Sequence, residues 1–359
     1  MALAPNRATN CRCVGIRAPA GSASNSRYKD SASARQLLSL FMTSHDSATI
    51  RPTVAPTATQ GTIFALLGVL SFSFSFPATV WALDGFGPWT ATGLRGVLAA
   101  AIAAVALLAT RAQLPQRSDW AGLGVVALGC VVGFPLLTTL ALQTSSTAHS
   151  AVVIGALPMA TASISALLTG RRLPATFWLA ATAGTAVVVI FALAQNQGRP
   201  TVADLYLLGA LLLCAAGYAE GGRLAGHMSS WKVIAWGVLF AAPINLIVSG
   251  VAIGYEPLHV TPLSIAGMAY IAAISQFGGF VLLYRGMGLI GVARASQLQL
   301  AQPLLTLIWS VLIMGETLTL AVPIAAVAVL GCIVVTQRTA TPKQAPTGHR
   351  TPQKIGRSG

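Results

Sequence analysis

The sequence predicts an all-α polytopic membrane protein of ten transmembrane helices, arranged as two inverted five-helix repeats. Three observations lead there. Hydrophobic residues make up 55% of the 359 positions and charged residues only 8%, against about 25% charged in a soluble domain. Apolar runs of about the 20 residues that a spanning helix needs follow one another at approximately 62–83, 90–110, 120–141, 149–169, 175–194, 203–220, 232–252, 263–284, 292–314 and 319–337. The fourth and ninth runs also repeat one another. SAVVIGALPMATASISALLTGRRL at 150–173 matches ASQLQLAQPLLTLIWSVLIMGETL at 295–318 with Pro158 on Pro303, Gly170 on Gly315 and Leu173 on Leu318, a constant offset of 145.

The chain begins differently. Residues 1–60 form a basic segment dominated by Ala, Ser, Thr and Arg, with Asp30 and Asp46 as its only acids; this composition predicts disorder. LLSLF at 37–41 is too short for a secretory apolar core. Two readings stand: an organelle transit peptide, which shares the Ser/Arg-rich, acid-poor character, or translation that starts at Met42, which the Ala/Gly/Val bias favours.

The runs after residue 60 are continuous and rich in Ala, Leu and Val, without the alternation of a barrel strand. In hydrocarbon each backbone amide must find a partner within its own segment, so helices are the natural form. Orientation follows from Lys and Arg in the short loops. With the N-terminus inside, the inner loops hold Arg111, Arg117, Arg171, Arg172, Arg223, Lys232 and Arg285, with Arg294 opening the ninth span; the outer loops hold only Arg199. The basic tail at 339–359 also falls inside. Trp89, Trp120 and Trp231 fall at the interfaces, where an amphipathic ring is most stable. The chain thus divides into five-helix units at 61–195 and 202–338. Five is odd, so the second unit enters the membrane inverted, an architecture of secondary transporters whose binding site lies near the midplane.

The formal charge of +14 resides in tails and inner loops, where it sets topology and meets anionic lipid; no nucleic-acid partner is implied. Cys130, Cys214 and Cys332 lie one per helix and read as small apolar residues. No metal or other cofactor is expected. No Walker-type motif occurs, so ATP-driven transport has no support. No HExxH or GxSxG occurs either, and no second histidine within a span partners His149, which reads as a wet interfacial side chain. Enzymatic chemistry needs such groups, so the chain does not read as an enzyme.

The remaining polar residues are few. Gln299 and Gln302, three apart, share a helix face with Ser296, while Gln297 points elsewhere. Pro303 frees a carbonyl one turn earlier, near Gln299. The shared face is read as lining a substrate cavity, the alternative being interhelical bonding worth about 0.6–2 kcal/mol per contact. Arg95, a few residues into span 2, is read as attracting a substrate carboxylate, or else as snorkelling or salt-bridged. Gln276, Asn245 and Tyr218 are further candidates for substrate contact; Asn245 could instead satisfy backbone freed by Pro243, and Tyr218 could serve packing. Glu220 is a candidate for ion coupling, or an i, i+3 partner of Arg223. Pro77, Pro158, Pro243 and Pro303 are candidate hinges. Spans 5 and 10, uniformly apolar, suit the periphery or a homodimer contact.

Ten spans, two repeats, a proline in spans 4 and 9, GETL at 315–318 and LALQTSSTAHSAVV at 140–153 resemble the drug/metabolite transporter superfamily, EamA type. The resemblance covers about 61–338. One departure is Arg171 in GRRL at 170–173, where the family often has Glu. The resemblance implies a secondary exporter of a small metabolite, an amino acid or related compound, working by alternating access in the inner (plasma) membrane with both termini cytoplasmic. A small-molecule channel or facilitator, or a plastid-type carrier with a transit peptide, are the alternatives.

Overall fold

The computed structural model describes residues 58–170, 172–195, 198–290 and 298–340. The expectations for residues 1–57, Arg171, Arg294, Ser296, Gln297 and the tail beyond 340 lie outside them. The regular elements among the described residues are all helical. Eight are long and apolar enough to cross a membrane: α1 (Thr59–Leu83), α2 (Pro88–Ala109), α3 (Arg117–Ala141), α4 (Thr147–Leu168), α5 (Ala175–Gln195), α6 (Val202–Leu224), α7 (Ser230–Ala252) and α8 (Pro262–Gly286). Two shorter apolar stretches follow, α9 (Ala301–Leu312) and Ala321–Thr336 within α10 (Ala321–Ala340). Among the described residues these ten helices follow the order of the ten apolar runs.

Local chemistry starts and stops these helices. Pro88 and Pro262 each fall in a first turn, where proline's fixed φ suits a helix and its missing N–H costs nothing. Thr201 with Asp204, and Thr261 with Ser264, exchange side-chain and backbone bonds as reciprocal caps of α6 and α8. Gly170 and Gly315, equivalent at the offset of 145, both adopt left-handed φ, 63° and 68°; that conformation favours glycine at a helix end.

Packing follows a twofold pattern. Helix α1 packs on α8 and α3 on α6, while α2 packs on α7, α5 on α10 and α4 on α9. Exchange the halves, α1 for α6 through α5 for α10, and the α1–α8 contact becomes α6–α3. The other three pairs map onto themselves. Lipid provides no hydrophobic drive between helices, so close approach relies on small residues. A methyl group at Gly286 would lie 2.6 Å from the backbone nitrogen of Ala65, and one at Gly68 2.8 Å from that of Leu283; α1 and α8 touch backbone to backbone. Over half of the apolar window of α2 and of α8 is buried, 56% each, against 28% for α5. The first two are therefore central and α5 lies at the rim.

Candidate functional site

Interruptions in the helices build the site. Helix α1 breaks at Phe74, between Ala58–Ser73 and Ser75–Leu83. Pro77 lacks the N–H that would reach the carbonyl of Ser73. Thr306 Oγ1 on α9 donates to that freed carbonyl at 2.8 Å, and Trp309 Nε1 donates to Ser73 Oγ at 3.0 Å. The break in one repeat is thus satisfied by a helix of the other. Helix α4 is interrupted at Gly155, with Pro158 in the first turn of its second part, Leu157–Thr169. Pro303 likewise falls in the first turn of α9, behind a turn at Gln299 and Leu300. These two prolines start helical segments at equivalent places. Pro243 stands inside an unbroken α7. Helices α3 and α8 wind wide over Ala127–Gly133 and Tyr270–Gly278, again at equivalent positions, and such π-type turns often mark functional sites.

The interruptions converge on one cavity. Its lining includes Phe72, Ser75 and Phe76 of α1, Arg95 of α2, Cys130 and Phe134 of α3, Tyr218 and Cys214 of α6, Ser275, Gln276 and Phe280 of α8, and Gln302 and Thr306 of α9. Its volume is about 40 Å³, room for little more than a water molecule. The helices are closed down on the site in this conformation, and anything much larger than water enters only if they part.

Arg95 dominates the electrostatics. It is 6% exposed. Its Nη2 donates to Ser275 Oγ at 3.2 Å, Ser275 Oγ lies 2.7 Å from Ser75 Oγ, and Arg95 Nε has no partner. None of the ion pairs among the described residues involves Arg95. The described acids are engaged at the ends of the bundle instead. Asp119 contacts His227, Asp204 contacts His149 and Glu220 contacts Arg223. Glu256 and Glu316 accept backbone N–H groups of α2 and α4, and Asp84 lies at a mouth beside Trp81 and Gln143. Gln276 is fully buried; its Nε2 donates to the carbonyl of Cys130 at 3.3 Å and its Oε1 is unpartnered. A buried cation beside an orphaned acceptor suits a ligand that brings a negative oxygen and a donor N–H.

Of the residues singled out by sequence, Arg95, Gln276, Gln302 and Tyr218 come together here. Two others are placed elsewhere. Gln299 lies in the turn before α9, its carbonyl accepting from the Gln302 N–H at 3.0 Å, and its side chain is not part of the lining; the turn breaks the helical register that would have put both amides on one face. Asn245 is buried in the α2–α7 interface, where its amide fills the space beside Gly96 and its carbonyl faces Gly93. Glu220 forms the ion pair with Arg223 that its spacing allowed. His149 keeps its place at the end of the bundle but is more enclosed than expected: it borders the polar mouth with Ser146 and Glu316, yet is 8% exposed, 2.7 Å from Asp204 and stacked on Phe191, because α6 and α5 pack over it.

Ser275, Thr306, Cys130 and the Phe72–Phe280 edge-to-face pair were not singled out. One signal was available. At the offset of 145, Cys130 is equivalent to Ser275, and both lie in the wide turns of α3 and α8.

Comparison with known proteins gives concordant results. The EamA-like transporter family matches twice, over residues 59–193 and 201–337. A relative from Bacillus subtilis (strain 168), described as uncharacterized transporter YdeK, is 38% identical over 280 residues, covering 78% of this chain and 98% of its own. A second from the same organism, uncharacterized transporter YcbK, is 28% identical over 290 residues, covering 77% and 90%. A solved crystal structure superposes with a TM-score of 0.55 at 19% identity, over 79% of this chain and 98% of its own, a likeness of fold.

Proposed function

Because this chain belongs to the EamA-like transporter family, we propose that its central cavity carries a small carboxylate-bearing metabolite, an amino acid or related compound, outward across the cell's inner membrane by alternating access. The observation that carries this reading is Arg95: a buried guanidinium in a long apolar helix, facing a cavity whose lining holds no carboxylate. An intramembrane charge is costly and is retained where it meets a partner or a pathway. The substrate carboxylate is that partner, and it forms a charge-assisted pair in place of water. Gln276 Oε1 and the Gln302 amide then take the donors of the substrate, and Tyr218 with Phe280 closes one side.

Rocking of the two repeats about the α2–α7 and α4–α9 contacts exposes the cavity to one side at a time. Breaks at Phe74, Gly155 and Gln299 supply the bends. The Lys/Arg bias of the loops supports cytoplasmic termini. The test is a thermal-shift panel of amino acids, amines, purines and their amide or ester analogues on purified protein. A ligand that binds the folded state raises the melting temperature by mass action. Stabilisation by a free carboxylate, absent for its carboxamide and absent in Arg95→Met, is the expected outcome. Stabilisation by amines alone would overturn the assignment.

A further inference from the structure

We propose that Glu256 and Glu316 are gate residues that hold one end of the carrier shut, and that no carboxylate among the described residues caps a helix start in this way at the other end, so that the carrier rests closed on that one side. The α1–α2, α3–α4, α7–α8 and α9–α10 connections all lie at the end of the bundle away from the first and last helices' outer termini, here termed the distal end.

Helix α2 begins at Gly87 and Pro88, and Gly87 has no side chain with which to cap it. The free donors of its first turn are the N–H groups of Trp89 and Thr90. Both are taken by one carboxylate from the α7–α8 connection: Trp89 N donates to Glu256 Oε1 at 3.1 Å and Thr90 N to Oε2 at 2.8 Å. A side chain at Gly87 would collide with that carboxylate, so the glycine leaves the room it needs. Helix α4 shows the same arrangement. Ser146 caps the N–H of His149 at 3.1 Å, which leaves Thr147 and Ala148. Their N–H groups donate to Glu316 Oε1 and Oε2 at 2.7 and 2.9 Å, from the α9–α10 connection. Each carboxylate is supplied by the second repeat and each helix start by the first. A carboxylate on two N–H groups at the positive end of a helix is a strong, charge-assisted contact. Both must break for the distal ends of the repeats to separate.

The twofold relation states what the other end would need. At the offset of 145, Glu316 is equivalent to Arg171. The register is sound there: Gly170 falls on Gly315 and Leu173 on Leu318. A guanidinium has no acceptor for a backbone N–H and is repelled by the positive end of a helix. The equivalent helix start, that of α7, has Ser229 as its N-cap with no side-chain bond. Two clamps at the distal end, and an arginine at the position equivalent to Glu316, bias the carrier toward the distally closed state. Resting on the carrier reading above, with the distal end outside, this bias favours loading from the cytoplasm, the direction an exporter requires.

The test reads access and needs no substrate, so a failure to find a carboxylate ligand leaves it independent. Cys130 and Cys214 line the cavity and serve as native reporters. Full-length protein in sealed right-side-out and inverted vesicles is exposed to a membrane-impermeant maleimide, and labelling of each cysteine is read by mass spectrometry of its peptide. In Glu256→Gln/Glu316→Gln each amide keeps an acceptor but turns an NH₂ group toward the second donor. Labelling from the distal side should rise at least about tenfold, the worth of one lost charge-assisted bond, while labelling from the opposite side falls. Unchanged labelling, or a rise from both sides alike, would overturn the proposal. A second variant guards against a merely structural effect. Arg171→Glu leaves both distal clamps intact and supplies a carboxylate at the equivalent position; it too should raise distal labelling, and no change there would contradict the proposal.

Discussion

Replacing Arg95 by methionine should make the protein more stable and a worse carrier. Arg95 is 6% exposed, its Nε has no partner, and its Nη2 donates to the neutral oxygen of Ser275. A buried charge without a countercharge has lost much of its hydration without recovering it, and exchange for an apolar side chain of similar length should stabilise by about 1–4 kcal/mol. The opposite sign applies to binding. A guanidinium and carboxylate about 4 Å apart at an effective dielectric constant of about 20 attract by about 4 kcal/mol. Discounted for desolvation of the ligand, about 2–4 kcal/mol remains, or roughly 30- to 1000-fold in affinity. The assays are a melting curve of purified Arg95→Met without ligand and substrate counterflow in proteoliposomes. A higher melting temperature with counterflow reduced at least about thirtyfold is the expected pair of results. A lower melting temperature would refute the reasoning, because it would mean that Arg95 holds the fold together and does not await a substrate.

Other perturbations separate the cavity from its scaffold. Thr306→Val removes the donor to the Ser73 carbonyl that Pro77 frees and leaves a buried acceptor unpaired, so stability should fall by about 1–3 kcal/mol, read as a lower melting temperature. Gln299→Ala should leave counterflow within about twofold, a surface-like effect, since that side chain is not part of the cavity lining; Gln302→Ala should impair transport at unchanged membrane abundance. Gly96→Leu should abolish folded protein, measured as abundance in the membrane, because a side chain there occupies the space of the Asn245 amide and drives α2 from α7.

Spans and repeat were legible because lipid imposes a one-dimensional signal. About 20 apolar residues must run together, and the offset that joins Pro158 to Pro303 also carries Gly170 to Gly315, which share a left-handed turn. The site was legible in part. Arg95 and Gln276 stand out because an apolar helix admits such groups only for a reason. Which way a polar side chain faces is not written in its own helix. Asn245 looked like a cavity residue, yet its position is decided by Gly93 and Gly96, which let α2 and α7 approach closely. Gln299 was assigned by assuming an unbroken helical period, and a turn before α9 removed that period. The donors that Glu316 satisfies lie 168 and 169 residues away, a contact no local pattern can disclose.

The measurement that tests the account most directly is counterflow by the full-length protein in proteoliposomes, with a labelled amino acid outside and unlabelled candidate carboxylates or their carboxamides inside. Saturable, accelerated uptake driven by free carboxylates and not by the carboxamides, and lost in Arg95→Met, is the predicted result. Equal acceleration by both chemical forms, or flux that does not saturate and carries current beyond a carrier's turnover, would contradict it.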